Sequence, residues 1–506
     1  MTNWFFFQEI PRSHYHLFEG VFSYWGKEMK KDIGVSIDLL GVFKNGDTSY
    51  FMDRKNFSKA GKTILKKTLL NPKWFISKNK KIEKISNALI KNSDKLLKTD
   101  FSVLSLKQLA KIYEKHNKLH QACHVSGQLA IILEWDHELL TNYLKDLLEK
   151  TIKEKNLSLK SGETFSVLTT PLKDSFQLKE EIKVIELALK FSVDAKTKNL
   201  FLSSEPDKII ELLPFVNKKF DVLLEKHFLE FRWLPFMYIG PAWNKDYFVA
   251  RIKGLLKEKE LSLIYSKMLS RHKEIKLKQK NLISLLSLNK KTVSLFDISK
   301  EMIYLKGLRK DAMYFSFYSY EPLLKELSKR LLLSVNQLRF LWPSELIKAI
   351  NGKKFDVNLL NERRKFSVFV SLNGKTKTVV GFEARKLASL APNPKDFKLK
   401  ELEGTTAVPG MVKGLAKIIN VPEDLPKMNQ GDILVSHVTN PNLVPAMKKA
   451  AAIVTDIGGV TCHAAIVSRE LNIPCVIGTK IATKVFKDND FLNVNANHGI
   501  IKKVKR

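Results

Sequence analysis

The sequence is poor in cysteine: Cys123, Cys462 and Cys475 are the only three in 506 residues. That number excludes a small secreted fold held by a disulfide framework and fits a reducing, cytoplasmic setting. Long apolar runs are also missing. No stretch of about 18 apolar residues occurs, so neither a membrane-spanning helix nor a membrane partner is expected. The start, MTNWFFFQEIPRSH, lacks the basic-then-apolar order of a signal peptide. No internal repeat and no low-complexity tract stands out. Acidic residues are scarce relative to basic ones: 52 Asp and Glu against 86 Lys and Arg leave a formal charge of +34. Such a charge suits nucleic acid or another polyanion, or it reflects a general lysine bias. The excess is mainly lysine, scattered as KK and KxK along helix-like stretches. Arginine-based base contacts and aromatic platforms for single strands are not visible, so nucleic acid is possible but not favoured.

What is present is enough apolar residue, 44%, to bury a core, in a length suited to roughly three domains. The first hundred residues are mixed, with an aromatic start and a turn signal at Asn45-Gly46-Asp47 before a strand-like run. From about 60 to 350, apolar residues recur at helical spacing. Ser105 is placed to cap the helix SLKQLAKIYEK, and Pro343-Ser344 opens another. RKFSVFVSLNGKTKTVVGFEA alternates about Asn373-Gly374, which predicts a hairpin. LAPNPKDFKLKELEG, with two prolines and no period, reads as a linker. Beyond it, short strands and short helices alternate over about 100 residues.

Several clusters in the helical region bear chemistry. His116, His120 and His124 recur at i, i+4, i+8, with Cys123 beside them. That stripe is compatible with a metal site, a phosphate-binding face or an ordinary mixed helix face. Glu134, Asp136 and His137 lie within two turns, a pattern that is usually solvated. The segment FRWLPFMYIGPAWNKDYF, 231–248, either lines a pocket or packs helices together.

The last hundred residues contain TDIGGVTCHAAIVSRELNIPCVIGT. A loop with Gly458 and Gly459 joins the strand AAIVT to a helix starting at about residue 463. The glycines permit positive φ and close backbone approach. The helix mouth supplies N–H groups and a positive dipole end, with Thr461 as a candidate N-cap. Together these form an anion site for which phosphate is the natural ligand. A histidine at position 463 can act there as a nucleophile toward phosphorus. The same spacing equally suits a histidine that caps or packs in a tight turn. His437, near the turn at Thr439, faces His463 or stands in solvent, and Cys475 reads as a small core residue.

This stretch resembles the phosphohistidine signature of the phosphoenolpyruvate-utilising enzymes: phosphoenolpyruvate synthase, pyruvate phosphate dikinase, enzyme I of the sugar phosphotransferase system and rifampicin phosphotransferase. VPGMVKGLAKII and GDILVSHVTNPNLVPAMKKAAAIVTD extend the resemblance upstream, over about residues 404 to 504. It implies that His463 is the phosphorylated residue and that Gly458, Gly459, Thr461, Cys462 and Thr439 surround its phosphate. Cys462 departs from a common Ser and Asn442 from a common acidic residue.

The implied architecture is α+β and multidomain. A mixed segment, 1–100, precedes a mostly α-helical region, 101–390, that ends in a β-hairpin and serves acceptor or partner binding. A linker at 391–403 then leads to a β/β/α swivelling phosphohistidine domain at 404–506. The expected activity is that of a phosphotransferase component, a kinase-type transfer through phosphohistidine. The first 400 residues lack a G-x-x-x-x-G-K-[ST] loop and the strand-rich pattern of an ATP-grasp fold. No pyruvate-binding barrel follows before Arg506. Mg²⁺ and ATP, or phosphoenolpyruvate, are therefore expected at a separate ATP-grasp nucleotide-binding protein. No cofactor or metal is expected to be held tightly by this chain, and the acceptor is expected to be a small molecule. The alternative is a non-catalytic regulatory or polyanion-binding protein with a vestigial phosphohistidine domain.

Overall fold

The computed structural model describes all residues except 1, 11, 18–23, 136–137, 393–400, 440–442, 459–461, 480 and 505–506. The chain divides into two compact units, Met1–Ala391 and Pro392–Arg506. The first is mostly helical and the second is built on a sheet.

In the first unit, the described strands form an antiparallel five-stranded sheet. They are β1 (Trp4–Ile10), β2 (Leu39–Lys44), β3 (Asp47–Asp53), β4 (Phe366–Leu372) and β5 (Lys375–Val380), in spatial order β1-β3-β2-β4-β5. Two tight turns set its registers. Asn45 and Gly46 join β2 to β3, and Asn373 and Gly374 join β4 to β5, all four with positive φ. Asn-Gly tolerates that conformation, which matches the right-handed twist of paired strands. Pairing of β2 with β4 ties residues from both ends of the unit into one sheet. The segments 1–100 and 101–390 therefore lie in a single unit.

Helices Pro72–Leu97, Leu106–Ser126 and the 42-residue Lys290–Leu331 pack against one another at the centre of this unit. Ser105 opens the second of these with a capping box. Its hydroxyl accepts from the Gln108 N–H, and the Gln108 side chain accepts from the Ser105 N–H. The buried positions of this helix are Leu109, Tyr113, His116, His120 and Cys123. They step by four, three, four and three residues, so one stripe of the helix faces inward. His116 and His120 fall on that stripe, whereas His124 does not.

The second unit contains β6 (Glu401–Glu403), β7 (Thr405–Val408), β8 (Met411–Ile418), β9 (Ile433–Ser436), β10 (Ala452–Thr455), β11 (Cys475–Ile477), β12 (Phe491–Asn495) and β13 (Ile500–Lys503). Their order is β6-β13-β12-β8-β9-β10-β11-β7. Residues 401–403, read from sequence as the end of a linker, thus form an edge strand paired with β13. β8 serves two neighbours. Its first half pairs antiparallel with β12, and its second half pairs parallel with β9.

Strand alternation separates the core of this unit into two layers. Ile433, Val435, Ala452, Val454 and Val476 face Leu492, Val494 and Ile501 of the antiparallel strands. Leu434, Ile453, Cys475 and Ile477 face the other way, onto Ala446 and Met447 of helix Val444–Lys449 and Ala464 and Ala465 of helix His463–Leu471. Each fully buried Val, Leu or Ile contributes roughly 1.5–3 kcal/mol. A one-residue slip of β10 would turn this pattern inside out. Cys475 is a buried core residue. Among the described residues, no helix is long and apolar enough to cross a membrane.

Candidate active site

β9, β10 and β11 run parallel, so their carboxyl ends open on one edge of the sheet. In open α/β layers that edge collects ligands, because the loops leaving the strands converge there. Three loops do so here. Residues 437–439 follow β9, 456–458 follow β10, and Gly478 and Thr479 follow β11. Backbone bonds lace them together: Asp456 N–H donates to Ser436 O, Ile457 N–H to His437 O, and Thr479 N–H to Thr455 O, each at 3.0 Å.

His463 is the first residue of the nine-residue helix His463–Leu471. Cys462 immediately precedes it, and its Sγ accepts the Ala465 N–H at 3.5 Å. Cys462 thus gives the first turn one side-chain acceptor, while the expected cap Thr461 lies outside the described residues. Sulfur accepts more weakly than a hydroxyl oxygen, which makes this a soft cap. Gly458 has φ +147°, and a Cβ there would lie 2.6 Å from Cys462 Sγ. The loop closes over the cap only because position 458 has no side chain. Gly459, Thr461 and Asn442 lie outside the described residues.

The imidazole is oriented from the neighbouring loop. Thr439, 4% exposed, places Oγ1 2.9 Å from His463 Nδ1. When Nδ1 carries the proton and donates to Thr439, the lone pair sits on Nε2. That tautomer is the one able to attack an electrophile. The helix mouth adds first-turn N–H groups and the positive end of its dipole. Of the residues expected around a phosphate, His463 and Thr439 meet directly, and so do Gly458 and Cys462.

Asp456 was missed by sequence reasoning, although it directly follows β10 and precedes the glycines. Its buried carboxylate accepts the Thr483 N–H at 2.9 Å and the Thr483 hydroxyl, and lies 3.1 Å from His437 Nδ1. Asn420 accepts the His437 N–H at 2.7 Å. His437 is thus fixed to Asp456, in place of the solvated turn position the sequence suggested. This carboxylate braces three chain segments behind the histidine.

In the helical unit, His116 and His120 are buried and both bond Ser316 Oγ, at 2.8 and 2.9 Å. Among the described residues, no group of three or more His, Cys, Asp or Glu is placed to hold a metal. Glu134 caps helix Leu139–Glu154, accepting from Leu140 N–H at 3.1 Å and the Thr141 hydroxyl at 2.7 Å, and burial pushes its carboxyl up to about 7. Asp136 and His137 lie outside the described residues.

Residues 428–499 match the family described as PEP-utilising enzyme, mobile domain. That match lies wholly within the carboxyl-terminal unit. Phosphoenolpyruvate synthase of Pyrococcus furiosus is 53% identical over 102 residues, which cover 20% of this chain and 12% of the relative. A probable phosphoenolpyruvate synthase of Archaeoglobus fulgidus is 43% identical over 157 residues, 31% of this chain and 20% of the relative. That match is longer than the unit 392–506, so it reaches back into the first unit. Phosphoenolpyruvate synthase of Pseudomonas aeruginosa is 43% identical over 109 residues, 20% of this chain and 14% of the relative. The chain therefore spans about a fifth or less of the length of these relatives. The crystal structure of Thermococcus kodakaraensis aconitase X (holo-form) aligns with 21% of this chain and 98% of its own, at 19% identity and a TM-score of 0.17, a slight likeness.

Proposed function

We propose that this chain is a phosphotransferase component in which His463 carries the phosphoryl group. The observation that carries the reading is the 2.9 Å contact of Thr439 Oγ1 with His463 Nδ1 at a helix mouth, inside the segment matching the mobile domain. Nε2 attacks the donor's phosphorus, the N–P bond forms as the P–O bond to the donor breaks, and the proton stays on Nδ1, donated to Thr439 Oγ1. The new phosphoryl oxygens are received by the helix N-terminus, with Gly458 and Cys462 shaping the loop. The protein's contribution is positioning and charge. In the second step an acceptor oxygen displaces Nε2 from phosphorus and the histidine is regenerated.

The donor, ATP or phosphoenolpyruvate, and Mg²⁺ are bound in this account by a separate ATP-grasp protein, and the acceptor is a small molecule in the cytoplasm. The β/β/α domain swivels between donor and acceptor. The test is incubation of the purified chain with each donor, with and without candidate ATP-grasp proteins, followed by mass spectrometry for acid-labile phosphate. Label on the wild type and none on His463→Ala is expected. Equal label on both would overturn the assignment.

A further inference from the structure

Arg309 lies in the middle of helix Lys290–Leu331 and is 8% exposed. A buried guanidinium is ordinarily paired with a carboxylate, because desolvation of an isolated charge is costly. Among the described residues, no carboxylate lies within ion-pair distance of Arg309. Its Nη1 donates to His124 O at 3.0 Å and contacts Met313 Sδ at 3.8 Å. One carbonyl at a helix end offers at most a partial charge. Its electrostatic neighbours are the Cys123 thiol and the Tyr238 and Tyr314 hydroxyls, all held in their neutral forms by burial. Space is kept for it: a Cβ at Gly127 would collide with Arg309 Nε.

A second group points to the same place. Asn92 Nδ2 donates to His116 Nδ1 at 2.8 Å, so neutral His116 donates from Nε2 to Ser316 Oγ. Ser316 then donates to His120 Nδ1, and His120 carries its proton on Nε2. That Nε2 is buried and has no hydrogen-bond partner. The His120 ring packs on Phe317 at 4.5 Å, and Phe317 meets Tyr238 at 5.9 Å. Tyr238 in turn neighbours Arg309. Seven residues of helix separate Arg309 from Ser316, on the order of 10 Å. The histidine stripe and the aromatic 231–248 segment, separate features in the sequence, thus converge.

We propose that the junction of helices Leu106–Ser126 and Lys290–Leu331 with the segment around Tyr238 binds a small organic anion. Its carboxylate or phosphate pairs with Arg309 and its far end accepts a hydrogen bond from His120. The site lies wholly within the first unit and is independent of His463.

The test is thermal unfolding of the full chain followed by tryptophan fluorescence, since all seven tryptophans lie between residues 4 and 342. The probes are inorganic phosphate, benzoate and the neutral benzamide at matched ionic strength. Phosphate or benzoate should raise Tm saturably, by about 2–4 °C at a hundred times Kd, and benzamide should not. Which anion acts distinguishes the two headgroups. Arg309→Met should melt no lower than wild type without anion and lose the rise. His120→Gln, which keeps the guanidinium, should weaken the effective anion about tenfold. His463→Ala should respond as wild type does. Indifference of the wild type to both anions would overturn the proposal, as would an equal rise in Arg309→Met or equal stabilisation by benzamide.

Discussion

Acid should weaken the helical unit through its buried histidines. His16 and His116 are 2% exposed, and burial pushes them from 6.5 down to about 3 and about 4. His14 and His120 are lowered in the same direction by burial and by neighbouring imidazoles. A depressed histidine is neutral in the fold while the unfolded chain takes up its proton. Its contribution is therefore fully present above pH 6.5 and is lost as pH falls toward 4 and 3. Between pH 7 and pH 5 each of His16 and His116 costs about 2 kcal/mol of stability. Together, about 4 kcal/mol is a large part of the roughly 5–15 kcal/mol that holds a domain folded. Urea unfolding followed by tryptophan fluorescence reports this unit alone, because every tryptophan lies in it. The midpoint should fall by about 1 M from pH 7 to pH 5. His16→Gln combined with His116→Gln should remove much of that dependence and leave the contribution of His14, His120 and the carboxylates. A wild-type midpoint that does not move, or a double variant with an undiminished dependence, would refute the reasoning.

Three substitutions probe the histidine loop. Thr439→Val should slow phosphorylation of His463 by up to about tenfold, as loss of one hydrogen bond implies, and Thr439→Ser should restore it; rapid-quench labelling reads both. Gly458→Ala should destabilise the carboxyl-terminal unit by about 1–3 kcal/mol, because φ is +147° and the new methyl meets Cys462 Sγ; urea unfolding by circular dichroism measures it. Cys462→Ala should cost about 1 kcal/mol through loss of the cap while Cys462→Ser retains it, again read by urea unfolding.

Local signals were legible where one short segment decides the geometry. Asn373-Gly374 and Asn45-Gly46 make their hairpins, and Ser105 with Gln108 makes its capping box. The strand–loop–helix order around His463 was equally readable, since a short, wholly buried strand and the glycines sit together. Pairing of β2 with β4 was not, because more than 300 residues separate them and nothing local encodes which distant edge is met. His437 looked solvated because its partner, Asp456, arrives from another strand. The histidine stripe held more information than its i, i+4, i+8 spacing. Counted from Leu109 and Tyr113, the buried positions fall on His116, His120 and Cys123 and bypass His124. Arg309 had no sequence signal at all, since the lack of a carboxylate partner among the described residues exists only in three dimensions.

The central claim is that phosphate is carried on Nε2 of His463 while Thr439 holds Nδ1. Phosphorus NMR of the phosphorylated chain with labelled histidine, correlating phosphorus to the ring nitrogens, tests it most directly. A single phosphohistidine at Nε2 of residue 463, absent from His463→Ala, is the expected result. Phosphate on Nδ1, on another residue, or on none under every donor tried would contradict it.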